Sequence, residues 1–162
     1  MNTTIELPKL GLGLAMCGLL FGLALGILFG MNEDLFKDFI ASGISAVPDL
    51  HDENSPAKIW RYVQRAHFHA MGIAAVTISL ILLVAVSSMT SGLKKLSAVL
   101  IGLGNLYPLS WFFMFLLSPS LGRSAAHAQL STELVTYIGV GGLLTGLFIL
   151  CSHLFLGLFS QD

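Results

Sequence analysis

Four long apolar runs alternate with short polar segments along the chain, at about Leu10–Gly30, Ala70–Ser88, Leu96–Leu117 and Leu134–Phe159. Each is close to or above the roughly 20 residues with which a helix crosses a hydrocarbon core. Lys, Arg, Asp and Glu are confined to the gaps between the runs. The pattern predicts an all-α integral membrane protein. It is a four-transmembrane-helix bundle forming a single membrane domain over residues 1–162, with spans at about 10–30, 66–88, 96–117 and 134–159.

The segments between the runs carry structure of their own. "NEDLFKDFIASGISA" opens with Asn32 as an N-cap and with Glu33 and Asp34 in the first turn, where the helix dipole favours acids. Leu35, Phe36, Phe39 and Ile40 fall on one face, so a short amphipathic helix at the membrane interface is expected in the first loop. "VPDLHDEN" reads as turn material. "SPAK" then restarts a helix, with Ser55 as N-cap and Pro56 at the first helical position. Continued to Ser88, that helix would be on the order of 50 Å long, and its first turns would stand above the hydrocarbon.

Within the spans, small and polar residues say how the helices meet. Gly18, Gly22, Gly26 and Gly30 recur every fourth residue in span one, a smooth stripe that lets another helix backbone come close. Whether the partner helix belongs to the same chain or to a neighbour stays open at this point. Gly142 and Gly146 give span four a similar face, so pairing of spans one and four is the economical expectation. Cys17 and Cys151 both fall towards the membrane side of the termini, which leaves a contact between them open, and read otherwise as two small buried residues. In span three, Pro108 frees the carbonyl of Gly104 and should kink the helix. Asn105, Tyr107 and Ser110 bring polar atoms to membrane depth beside that kink, where they need partners.

Composition agrees with the pattern. Hydrophobic residues make up 55% of the chain and charged residues 10%, with a mean hydropathy of +0.83. A soluble domain carries roughly a quarter charged residues. The first run is too long for a signal-peptide core and lacks a strongly basic lead, having only Lys9 offset by Glu6, so it is expected to be retained. The basic residues are too dispersed for a nucleic-acid partner. An even span number puts both termini on one side, here called side A. Lys9, Lys94 and Lys95 fall there, against Lys37, Lys58, Arg61, Arg65 and Arg123 on side B. With some of the side-B arginines belonging to a candidate site, that tally leaves the orientation open.

The residues with most chemistry gather on side B. Of the histidines, His51, His67, His69 and His127 are assigned there, and His153 towards side A. "RYVQRAHFHAMG" places His67 and His69 at the mouth of span two. Residues two apart on a helix point about 200° apart, so the two cannot chelate one metal together. Arg61, Arg65 and His69 form one stripe, and Trp60, Gln64, His67 and Met71 another. His67 or His69 joining His127 could ligate haem iron, with Arg61 and Arg65 for the propionates. A copper ion could instead use histidine with Met71 or Met114. A different reading has the Arg61/Arg65/His69 face meeting an anionic headgroup, or merely anchoring the helix with Trp60 and Tyr62. His51 reads as a solvated loop residue and His153 as a satisfied interior histidine.

The "HFH" of His67–His69 ahead of an apolar span resembles the His-x-His element of haem–copper oxidase subunits and their small relatives. That resemblance implies histidines serving different redox groups. "RAH", Arg65 to His67, resembles the Arg-Ala-His-x-Asn-x-x-Glu motif of membrane-associated glutathione and eicosanoid enzymes. Here His69 stands at the asparagine position and Gly72 at the glutamate position, which removes polar groups that would contact glutathione. The layout of "IWRYVQRAHFHAMG", "GNLYPL" and "GVGGLL" is similar to that of small four-span bacterial membrane proteins.

The functional expectation is an integral membrane subunit binding haem or a metal ion through histidines at one face. Its candidate residues are His67, His69, His127, Met71, Arg61 and Arg65, with haem or copper as cofactor. The alternatives are a non-catalytic assembly or packing subunit and a glutathione- or lipid-modifying enzyme. The expected setting is the lipid bilayer of a bacterial inner membrane, as a homo-oligomer or part of a larger membrane complex. No serine–histidine–acid arrangement or phosphate loop is present, and there is no C-x-x-C pair.

Overall fold

The computed structural model describes residues 8–159, so Glu6 lies outside the described part. Seven α-helices follow one another: α1 (Lys9–Met31), α2 (Asp34–Ala46), α3 (Ser55–Val86), α4 (Ser91–Leu103), α5 (Tyr107–Leu121), α6 (Arg123–His127) and α7 (Leu130–Leu156). No strand occurs among the described residues. Four units are long and apolar enough to cross a membrane: α1, α3, the near-continuous α4–α5 pair and α7. The chain is a multi-pass, all-α membrane protein.

The first-loop helix forms where its sequence signals place it. The Asn32 side chain accepts the Leu35 backbone N–H at 3.2 Å, and Lys37 pairs with Glu33 at 2.7 Å one turn back. Its apolar residues divide between two environments. Phe36 and Ile40 are buried in the bundle, whereas Leu35 and Phe39 remain exposed. Phe36 packs on Phe29 and Phe115 with ring centroids 5.0 and 5.8 Å apart, so α2 is tied to α1 and α5.

At the start of α3 the expected cap is corrected. Ser55 is already helical, and Asn54 ahead of it makes no side-chain cap bond. The Ser55 hydroxyl instead accepts the Asp52 N–H at 3.0 Å and donates to the Asp52 carboxylate at 2.9 Å. These two bonds tie the turn ahead of α3 to its first residue, and neither takes up an N–H of the helix itself. From there α3 runs unbroken for 32 residues, as expected, and Lys94 donates to the Ala85 carbonyl at 3.0 Å near its far end.

Span three breaks beside Pro108. Between α4 and α5, Gly104–Leu106 form a 3₁₀ turn, and the Tyr107 N–H satisfies the Gly104 carbonyl that proline leaves without its usual donor. The break turns Asn105 inward, where its amide donates to the Thr77 hydroxyl of α3 at 3.0 Å and to the Gly102 carbonyl at 3.1 Å.

The order of the helices corrects the expectation for spans one and four. The α1 helix packs along α3 and α4, and α7 packs along α4 and α5; α1 and α7 share no packed seam. Small residues explain this, because each glycine face meets a different partner. A Cβ added at Gly18 would overlap Asn105, one at Gly22 would come within 2.9 Å of Met71 Sδ, and one at Gly26 within 2.8 Å of His67 Cε1. At Gly142 and Gly146 a Cβ would meet the Leu100 carbonyl at 3.0 Å and Ile101 at 2.8 Å, both in α4. The partners of both faces are in the same chain. Gly30 departs from its stripe, since it is exposed with nothing within 4 Å of a Cβ. Cys17 is exposed on α1 and Cys151 half-buried on α7, so the reading of both as buried is corrected, and with no packed α1–α7 seam the possible contact between them is not formed.

Candidate functional site: the two histidine faces of α3

His67 and His69 lie in the N-terminal half of α3, and His67 sits beside Gly22 and Gly26 of α1. His67 points at α1. Its Nδ1 lies 2.8 Å from the Gly22 carbonyl oxygen. A carbonyl only accepts, so Nδ1 carries the proton and, in the neutral ring, Nε2 carries the lone pair. Phe29 packs edge-on to the ring at 5.5 Å, and Phe68 lies 5.2 Å away. Met71, one turn further, presents its sulfur to the same glycine seam.

His69 points the other way, towards α5, as the 200° separation requires. Its Nδ1 lies 2.9 Å from the carbonyl of Arg65 on its own helix, which again leaves Nε2 with the lone pair. The ring stands edge-on to Tyr107 at 5.4 Å and 6.0 Å from Trp111. Arg65 lays its guanidinium over Trp111 at 4.8 Å, a cation–π contact. Neither His67 Nε2 nor His69 Nε2 has a hydrogen-bond partner among the described residues, and neither is a fully enclosed atom.

The remaining candidates lie apart. Arg61 is exposed and makes no ion pair among the described residues. His127 is exposed at the end of α6, a short helix packed on α5 and α7, and it touches neither His67 nor His69. Among the described residues no three His, Cys, Asp or Glu side chains converge as metal ligands. Arg65 and His67, neighbours in the "RAH" motif, face different helices, so they do not line one pocket.

Two histidines have structural roles. His153 is buried, with Nδ1 2.8 Å from the Leu158 carbonyl and Nε2 3.3 Å from the Ser88 hydroxyl, as expected of an interior histidine. His51 differs from its reading as a solvated residue. Its Nε2 donates to the Pro119 carbonyl of α5 at 3.0 Å, and its Nδ1 is buried without a partner. The bond ties the first loop to the end of span three, a long-range contact that no local periodicity announces.

Electrostatics outside the spans centre on two small clusters. The Ser55 hydroxyl bond, with Lys58 at 3.3 Å, holds the Asp52 carboxyl below its ordinary value. The bond to Glu33 holds the Lys37 ammonium above its own. Both groups are surface elements of the side-B loops and reach neither histidine.

No family model, curated protein or solved structure matches the chain.

Proposed function

We propose that this chain is an integral membrane subunit that holds a redox metal through Nε2 of His67. The observation that carries the reading is the 2.8 Å bond from His67 Nδ1 to the Gly22 carbonyl. Metal-ligating histidines donate their second ring N–H to a carbonyl or carboxylate, which fixes the tautomer and raises the basicity of the coordinating nitrogen. His67 has that arrangement, in a seam lined by Phe29 and by the thioether of Met71.

Between the two cofactors expected from the sequence, the donor set suits copper better than haem. Imidazole with thioether is a soft pair that matches copper, above all its reduced state. A haem would need cations for its propionates, and Arg65 is engaged over Trp111 on the opposite face of α3. With only His67 and Met71 on this seam, the remaining coordination comes from outside the chain. That fits a subunit of a homo-oligomer or larger complex in a bacterial inner membrane.

The test is metal analysis of the full chain purified from membranes of cells supplied with copper and haem. Wild type should retain copper near one equivalent, and His67→Ala and Met71→Leu should lose it while His69→Ala keeps it. Retention by His67→Ala would overturn the assignment.

A second reading rests on the same bond seen as a fastener. His67 joins α3 to α1, and His69 wedges α3 against Tyr107 and Trp111 of α5. In that reading the chain is a non-catalytic packing or assembly subunit, the histidines bind nothing, and the wild type is free of metal and haem.

A further inference from the structure

The α3 and α7 helices both lie against span three without packing on each other, and the space between them is a groove of about 390 Å³. Phe68, His69, Gly72, Ile73 and Val76 line it from α3, and Leu143 from α7. The groove starts at His69 and follows α3 for about two turns to Val76. Gly72 keeps its floor open, since a Cβ there would meet nothing within 4 Å. Apart from the imidazole the walls are apolar.

From this geometry we infer that the groove binds a prenylated hydroquinone, with one ring hydroxyl donating to His69 Nε2 and the tail lying along Gly72, Ile73 and Val76. Three observations select that ligand. First, His69 Nδ1 donates to the Arg65 carbonyl, so the neutral ring offers only an acceptor to the groove. The partner must therefore bring an O–H or N–H, which the hydroquinone has and the oxidised quinone lacks. Second, Phe68 beside His69 packs on His67 yet stays 66% exposed, so much of its ring surface is open to the groove. Offset or edge-on packing of a ring there is favourable. Third, about 390 Å³ is the order of a small ligand pocket and leaves room for a single substituted ring. The site discriminates by hydrogen-bond polarity and favours the reduced form.

The inference does not depend on a metal at His67, because the two histidines occupy opposite faces of α3. Binding is read anaerobically in detergent with the full chain carrying Trp60→Phe, which leaves Trp111, 6.0 Å from His69, as the sole tryptophan. The probe is duroquinol, with its dimethyl ether as the control that has the same ring and no O–H donor. Saturable quenching of Trp111 by duroquinol is expected, at least tenfold weaker for the ether. His69→Ala should weaken it about tenfold. His69→Gln, which restores an acceptor oxygen, should recover part of the loss. Gly72→Leu starts from a position where an added Cβ meets nothing and projects its side chain into the groove, so it should abolish quenching while the helix content and elution volume stay unchanged. Equal quenching by duroquinol and ether, or quenching indifferent to Gly72→Leu, would overturn the inference. Loss of metal in His67→Ala with duroquinol binding intact separates the two sites.

Discussion

His67 and Gly22 are joined across α3 and α1 by a 2.8 Å hydrogen bond at a point where α1 has no side chain. A Cβ at Gly26 would press against the same imidazole, so the glycines make room for the ring and one of their carbonyls orients it. Packing and tautomer are therefore set by one contact. The consequences of that contact can be tested separately.

The glycine stripe should respond unevenly to bulk. Gly22→Leu and Gly26→Leu push side chains into Met71 and His67, and overpacking of this kind costs about 1–3 kcal/mol. Gly30→Leu meets open space and should be close to neutral. Thermal unfolding of the variants in one detergent measures the contrast. Equal loss at all three positions would mean that the stripe serves a partner chain instead.

The polar tie between α3 and span three is expected to be modest. Asn105→Ala removes the amide bonds to Thr77 and Gly102, and interhelical hydrogen bonds in membranes are worth about 0.6 kcal/mol on average. Because Asn105 and Thr77 share one bond, the double variant with Thr77→Ala should lose less than the sum of the singles. An additive result would show that the two side chains do not interact.

Acid should loosen the junction between the first loop and α3. Folding holds the Asp52 carboxyl below its ordinary value of 3.8, first through the Ser55 hydroxyl and then through Lys58. A depressed carboxyl contributes stability that is complete above the unfolded value and disappears as pH falls through the folded one. Amide protection at residues 52–58, taken relative to the unstructured exchange rate at each pH, should therefore fall only below about pH 4. Ser55→Ala brings the folded value back towards the ordinary one, so it should shrink this acid-dependent loss while the pH at which the loss begins stays where it is. A fall already at pH 6 would contradict the assignment to Asp52.

Oxidation offers a simple check on helix order. Since α1 and α7 share no seam, mild oxidant should give no Cys17–Cys151 bridge within one chain. A rapid intramolecular crosslink, seen as an oxidant-dependent shift of the monomer on a denaturing gel, would restore the pairing of spans one and four.

The spans, the first-loop helix and the break beside Pro108 were legible because each follows from local rules. Apolar run length, Asn32 ahead of two acids, and the lost N–H of proline act within a few residues. The opposed faces of His67 and His69 were legible for the same reason, as helical phase alone sets them. Which helices meet was not legible. Gly18 and Gly146 advertise close approach equally well, and only the shapes of Asn105 and Ile101 decide what fills each gap. The His51–Pro119 bond joins positions 68 residues apart with no pattern linking them. The free Nε2 atoms were hidden too, since the tautomers depend on which carbonyl each ring meets.

The most direct measurement of the central claim is copper analysis with an optical spectrum of the purified wild-type chain and His67→Ala, as isolated and after dithionite. The account predicts stoichiometric copper in wild type, none in His67→Ala, and equal helix content in both. A colourless wild-type protein, free of copper and haem after expression with both supplied, would contradict it and leave His67 as a fastener between α1 and α3.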